Sequence, residues 1–377
     1  MKIGFFTDGY KPQINGVAIS VEECAKALAK RGHEVYIIAP SYPNLKKEKN
    51  VFRLRSITVH KKFNIRAALV NPGTEVYKIL RQDFDIIHGH TGGPISMAGI
   101  EFAKLKKIPY VFTYHTFWDK YVHYFLRGKV ITPRMVRLIS RVLIGRCSAV
   151  IAPTQKVKEE LISYGVKKPI FVIPNCIDLK KFKTEAKGFL RKKFKLAKQD
   201  KIILFVGRLG KEKSIDFLVS AFSLINKTCK NTKLVIVGNG PEKENLQYLA
   251  KKLELSDKVL FAGEISYDIL PKVYGDADMF VFASTTETQG MVIMEAMASG
   301  LPIVAVRDGA IRSMIGNKTN GILVKKDEQK FAKQVINLLK NKKLREKLSV
   351  NAKKRVAKFS EEKTVEKLEK LYQQVMT

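Results

Sequence analysis

Nowhere does this chain hold an unbroken apolar run of the roughly 18 to 20 residues that a membrane-spanning helix needs. No bilayer-crossing helix is expected. The four cysteines, Cys24, Cys147, Cys176 and Cys229, lie far apart with no C-x-x-C pair, which argues against zinc and against a disulfide framework. Buried, unreactive thiols are expected instead. The opening "MKIGFFTDGY" has too short an apolar part for a signal peptide and no small-residue cleavage site. It reads as a first β-strand of a cytosolic chain. Acidic residues are scarce, 35 against 69 Lys+Arg, which leaves a net charge of +34. The excess is shared evenly, +17 in residues 1–175 and +17 in residues 176–377. A polyanionic partner is implied: nucleic acid and an anionic membrane surface both fit, as does a lysine-rich solvated surface with no partner.

What is present is material for two hydrophobic cores. A chain of 377 residues exceeds what one core usually covers, so two domains of roughly 150 to 200 residues are expected. In the first half the runs "KIGFFT", "EVYIIAP", "FDIIHGH", "PYVFTYH", "AVIAPT" and "IFVIPN" mostly lack polar alternation, as strands of a parallel sheet buried on both faces do. Helical patterns lie between them; Val17, Val21, Ala25 and Leu28 recur at helical spacing over 17–31, with Gly32 where that helix should stop. The pattern pauses in the basic stretch "NCIDLKKFKTEAKGFLRKKFKLAKQD", read as the linker. It then restarts through "KIILFVGRL", "KLVIVGNG", "KVLFAGE", "MFVFAS", "LPIVAV" and "GILVKK". Alternating strands and helices in two series predict an α/β protein of two Rossmann-like, doubly wound domains facing across a cleft, with ligand loops at strand carboxyl ends. The expected division is 1–176, 177–357, and a final surface helix over 358–377, capped by Ser360 and crossing back to the first domain.

The segment "TTETQGMVIMEAMASGLPIVA" carries two carboxylates, Glu287 and Glu295, among apolar and small residues. "MFVFAS" reads as a strand and "GMVIMEAMAS" as a helix ended by Gly300, so Glu287 falls in the loop before the helix and Glu295 one to two turns inside it. An acidic first turn that serves the helix dipole accounts for Glu287. It does not account for Glu295, which would be costly to bury without partners. A sugar nucleotide fits both: its diphosphate on the free amides of Gln289, Gly290, Met291 and Val292, its hydroxyls on the two carboxylates. In "FVGRLGKEKSIDFL", Gly207, Arg208 and Lys213 follow a strand and precede a helix, a tight loop suited to a diphosphate leaving group or to plain solvent. In "DGYKPQINGVAIS", Asn15-Gly16 opens a helix where a phosphate or sugar could approach the backbone.

Together Gly16, "YHT" at 114–116, "GRLGKEK" at 207–213 and "ETQGMVIMEAMASGLP" resemble the retaining glycosyltransferases of family 4, which have the GT-B fold. The resemblance runs nearly the whole chain. It implies a nucleotide sugar bound mainly by the second domain, with no metal and no other cofactor. Residue by residue it implies Arg208 and Lys213 as the diphosphate clamp, Glu287 on the donor sugar, Glu295 on the ribose, and His115 near the reaction centre. Base contacts are expected near Ile265 in "GEISYD". Asn15 where the family often has glycine, and Gln289 where it often has an aromatic, resemble the subgroup that moves glucose from UDP to the 3-hydroxyl of diacylglycerol. Another acceptor within the family, phosphatidylinositol or a soluble sugar, and a UDP-sugar 2-epimerase are the rival readings.

That subgroup would also account for the charge, through a lipid acceptor and an anionic membrane at the cytoplasmic face. Between Lys120 and Lys158 there are nine basic residues and no acidic one. "TPRMVRLISRVLIGR" predicts a helix with Thr132 as N-cap, Arg134, Arg137 and Arg141 on one face, and Leu138, Ile139, Val142 and Leu143 opposite. The apolar side is expected to pack on the sheet and the arginines to meet lipid. Trp118, Tyr121 and Arg127 precede it. A second candidate contact is "FRLRSITVHKKFNIRAAL", where Lys61, Lys62, Phe63 and Arg66 mix bases with apolar residues. Such mixing suits single-stranded nucleic acid equally, so composition does not separate the two partners; the motif set does, and no nucleic-acid partner is expected.

Overall fold

A computed structural model describes residues 1–60, 65–70, 73–120, 132–183 and 188–377. They form two compact units, Met1–Ile177 with Phe359–Thr377, and Asp178–Lys358. The first unit contains strands β1 (Lys2–Phe6), β2 (Glu34–Pro40), β3 (Val51–Leu54), β4 (Ser56–His60), β5 (Ile65–Ala68), β6 (Ile86–Gly89), β7 (Tyr110–Thr113), β8 (Ala149–Ala152) and β9 (Ile170–Val172). Its helices are α1 (Gly16–Lys30), α2 (Thr74–Leu80), α3 (Pro94–Lys106), α4 (Pro133–Gly145) and α5 (Gln155–Ser163). Seven strands make a parallel sheet in the order β3-β2-β1-β6-β7-β8-β9, while β4 and β5 form a separate antiparallel pair.

The second unit has α6 (Phe189–Lys193), β10 (Lys201–Val206), α7 (Ile215–Thr228), β11 (Thr232–Val237), α8 (Lys243–Lys252), β12 (Val259–Gly263), α9 (Leu270–Asp276) and β13 (Met279–Phe282). It continues through α10 (Met291–Ala298), β14 (Ile303–Val306), α11 (Gly309–Met314), β15 (Ile322–Val324), α12 (Glu328–Lys340) and α13 (Lys342–Val356). Its parallel sheet runs β12-β11-β10-β13-β14-β15. Two Rossmann-like sheets are therefore present, and the twelve strand runs read from the sequence all fall on them. The supposed linker is partly structured: Leu190 of α6 is buried, and the Asp276 carboxylate accepts from the Leu190 amide at 2.6 Å.

The central strands are buried on both faces, and each face has its own core. On β7, Tyr110 and Phe112 point into a cluster with Ile95 and Ile100 of α3 and Ile144 of α4. Val111 points the other way, into a cluster with Val21 and Leu28 of α1. That second cluster includes Val365, Leu368, Leu371 and Tyr372 of the last helix, α14 (Glu361–Met376). The expectation of a surface helix is thus corrected. Its apolar residues at spacings of three and four make a stripe that completes the first unit's core. Arg31 holds Glu369 through two bonds of 2.8 and 2.7 Å, and Tyr372 reaches a buried histidine.

Two further expectations change. Strands β3, β4 and β5 were not anticipated, because arginines at 53, 55 and 66 interrupt the apolar pattern; Arg53 and Arg66 are spent on hydrogen bonds to neighbouring backbone and hydroxyls. Helix α4 is capped by Thr132 as expected, whose hydroxyl accepts from the Met135 amide at 3.3 Å. Of its expected apolar face only Leu143 packs on the core beneath. Ser140 and Ile144 are buried, whereas Met135, Leu138, Ile139 and Val142 are about half exposed (47, 51, 59 and 60%). At about 100° per residue these four lie opposite the buried pair.

The core role of α14 can be checked by chemical denaturation. Leu368→Ala should lower stability by about 2–4 kcal/mol, whereas Lys367→Ala on the exposed side should change it by less than about 0.5 kcal/mol.

Candidate active site

In the second unit the chain winds outward from β10 in one direction and from β13 in the other, so the switch point of the sheet lies between them. The loops that follow these two strands carry Arg208 and Lys213 on one side and Glu287 on the other. They are joined directly: Lys213 Nζ lies 2.5 Å from Glu287 Oε1. Arg208 is held by Glu212, with Nη2 and Nε at 3.1 and 3.3 Å from Oε1, and Glu212 is nearly buried. The backbone beneath is fixed by the turn after β11. Leu209 N donates to Asn239 O at 2.9 Å, and a Cβ on Gly238 would fall 2.0 Å from Gly207 O. The "GNGP" turn therefore needs its glycine so that two loops can meet backbone to backbone.

Gly290, at φ +83°, turns the chain into α10. Met291 and Val292 begin this helix, and Gln289 before it is buried, its amide donating to Met294 Sδ at 3.4 Å. Glu295 is also buried, and the Tyr274 hydroxyl donates to its Oε2 at 2.7 Å. Burial pushes this carboxyl up to about 7, and the Tyr274 bond and the nearby Lys181 charge pull the other way. Tyr274, which aligns Glu295, gave no sequence signal because α9 joins the site only through packing. Ser284 Oγ and Thr286 Oγ1 are buried beside Glu287 with no hydrogen-bond partner among the described residues. The hydroxyl-rich run "STTET" was the available signal. Ile265 is half-buried in the loop after β12.

The first unit brings a different group together. Asn15 caps α1, its Oδ1 accepting from Val17 and Ala18 amides at 3.0 Å, and Gly16 is the first helical residue. His115 follows β7 and contacts His90, Nε2 to Nδ1, at 3.2 Å. His90 stacks on His88 with centroids 4.0 Å apart. His88 is held by the Tyr372 hydroxyl and by Thr113 Oγ1, both at 2.6 Å. Burial drives His88 and His115 down to about 3 and lowers His90 strongly as well, with Asn175 opposing the shift at His115. All three are neutral rings near pH 7. His115, already bonded to His90 and Asn175, supplies no positive charge there. His88 and His90 were missed; their signal was two histidines two positions apart at a strand end, hence on one face.

The expected acceptor residues scatter. Arg137 donates to the buried Asp119 at 3.1 Å and lies over the Tyr164 ring. Arg66 holds the β4–β5 pair through Ser56 and Thr58. Both guanidiniums are committed to the fold. Arg134 and Arg141 are exposed, and Trp118 is 36% exposed. Lys61, Lys62, Phe63, Tyr121 and Arg127 lie outside the described residues.

Comparison with known proteins decides what this arrangement belongs to. Residues 14–181 match the family described as Glycosyltransferase Family 4, and residues 186–355 match glycosyl transferases group 1. An alpha-monoglucosyldiacylglycerol synthase of Streptococcus pneumoniae is 35% identical, over 86% of this chain and 75% of its own. The chain belongs to glycosyltransferase family 4. A second protein of the same description, from Acholeplasma laidlawii, is 31% identical over 99% of this chain and 96% of its own. The fold is shared with the crystal structure of Anabaena HepE in complex with UDP and glucose (TM-score 0.78, 20% identity, covering 99% and 100% of the two chains). In family terms the chain is an enzyme of the GT-B fold, and the two switch-point loops of the second unit are its candidate donor site.

Folding lifts the Glu295 carboxyl from near 4.5 to about 7, so the folded chain holds this proton more tightly than the unfolded one. The group's stabilising contribution is complete below about pH 4.5 and is lost as pH rises through 7. Glu295→Gln, which removes the titration, should match the wild type near pH 4.5 and exceed it at pH 8 by on the order of 2–3 kcal/mol. Urea denaturation of the ligand-free pair at both pH values checks this.

Proposed function

We propose that this glycosyltransferase moves glucose from UDP-glucose to the 3-hydroxyl of diacylglycerol at an anionic membrane surface, with retention at the anomeric carbon. The observation that carries the membrane part is α4, whose half-exposed Met135, Leu138, Ile139 and Val142 form one apolar stripe beside exposed Arg134 and Arg141. An apolar stripe turned to solvent is costly unless something covers it, and arginines beside it favour anionic headgroups. No helix among the described residues is long and apolar enough to cross a membrane, so attachment of this kind would be peripheral. The two relatives named as alpha-monoglucosyldiacylglycerol synthases, and a shared fold seen with UDP and glucose, support the donor and acceptor.

In this reading Arg208 and Lys213 meet the diphosphate as it leaves with developing negative charge. Each is already held in place by a carboxylate, so the ligand exchanges one anionic partner for another without a search of side-chain conformations. Glu287, neutralised by Lys213, holds sugar hydroxyls rather than attacking carbon. Glu295 takes the ribose, with Gln289, Gly290, Met291 and Val292 around the phosphates. Ile265 would lie against the base. The cationic charge comes from side chains, so no metal or other cofactor is required.

Purified chain given UDP-glucose and vesicles should form glucosyl-diacylglycerol only when diacylglycerol is present, at a rate unaffected by EDTA and raised by anionic lipid. Transfer to phosphatidylinositol or a soluble sugar instead, or an isomerised sugar with no acceptor, would replace this reading. Arg208→Ala and Lys213→Ala should lower kcat by about 10²–10³-fold, whereas Glu295→Ala should act mainly on donor KM, by about tenfold. Steady-state kinetics in the two substrates separates these effects.

A further inference from the structure

We propose that the first unit holds an acyl-chain pocket under α4, in which one fatty chain of the acceptor lies during transfer. The inference rests on the lipid-acceptor reading above and adds where the lipid tail goes. Between α4 and the carboxyl ends of β6 and β7 there is a cavity of about 330 Å3, within the range of small-molecule sites. Its described walls include Phe112, Tyr114, Trp118, Val136 and Leu143. Apart from Tyr114, Trp118 and Ser140, no described lining residue has a polar side-chain atom. The Tyr114 and Ser140 hydroxyls lie 3.4 Å apart and answer one another. A sugar or phosphate would lose its hydrogen bonds there, whereas a hydrocarbon chain would not.

The space exists because volume has been left out at chosen positions. Gly92 lines the cavity, and a Cβ there would meet only Trp118 Nε1, at 3.7 Å. On α4 the inward positions 136, 140 and 144 are about one helical turn apart, and the middle one is serine. Ile139 both lines the cavity and is 59% exposed, so the pocket opens onto the outward apolar stripe of the same helix. A chain could pass from a bilayer into the pocket along carbon throughout, with Arg134 and Arg141 beside the stripe for anionic headgroups. The histidine cavity on the other face of β7 measures about 20 Å3, room for a water and not for a lipid tail.

Trp118 is the sole tryptophan of the chain, so its fluorescence reports on this pocket alone. The full chain is titrated with diacylglycerol brominated along its acyl chains, in neutral-detergent micelles, against the same lipid without bromine. Saturable quenching of at least half the Trp118 emission is expected. Ser140→Phe and Val136→Phe, each filling the cavity and each checked for folding by thermal melt, should weaken the quenching at least fivefold. They should also lower kcat/KM at least tenfold for a long-chain diacylglycerol, and less than twofold for the dihexanoyl lipid. Quenching that both filled variants retain, or equal loss of activity with long and short chains, would overturn the pocket. Quenching without transfer to diacylglycerol would leave the pocket standing and overturn the acceptor reading; transfer without quenching would do the reverse.

Discussion

A strand paired at both edges and covered on both faces by helices leaves its side chains no route to water. That burial governs both units of this protein. The middle strands β1, β6, β7 and β8 of one sheet, and β10, β13 and β14 of the other, are almost wholly apolar. Charge is therefore driven to the strand ends, and in a parallel sheet the carboxyl ends all lie on one edge. Arg208, Lys213 and Glu287 collect there because nowhere else along β10 and β13 could hold them. The basic excess of the whole chain makes the acidic partners of these cations more informative than the cations themselves: Glu212 and Glu287 are two carboxylates kept among 35 where they orient a positive charge.

Among the exceptions to that rule are the buried histidines and Glu295. His88 sits within a central strand and survives there because both ring nitrogens are occupied, one by Thr113 of the next strand and one by Tyr372 of α14. The last helix of the chain thus holds a ring in the first unit's sheet, and the neutral state of His115 follows from the same enclosure. Glu295 survives by a different route, a single strong donor and a raised affinity for its proton. Each is a polar group whose cost is limited by named partners.

Helix α4 shows the opposite case, apolar side chains left outside. A helix of this composition has one apolar and one basic face, and its residue spacing alone allows either to turn inward. Tertiary packing decides between them. Ser140, Leu143 and Ile144 turn inward, Arg137 is drawn down to the buried Asp119, and Met135, Leu138, Ile139 and Val142 are left facing out. What reads as a core-packing stripe becomes a surface one, and the space under Ser140 becomes a cavity.

The linear order of residues by itself determined the two strand-helix series, the twelve principal strands, the caps at Thr132 and Ser360, and the family motifs, because each depends on neighbours within a few positions along the chain. It also placed Glu287 before α10 and Glu295 within it. Only the tertiary structure decided that Lys213 reaches Glu287 across 74 positions, that Tyr274 holds Glu295, and that Tyr372 closes over His88 from 284 residues away. It likewise decided which side of α4 meets the sheet. Periodicity states that a helix has two faces, but contacts such as Arg137 to the buried Asp119 choose between them, and those form only when distant segments pack.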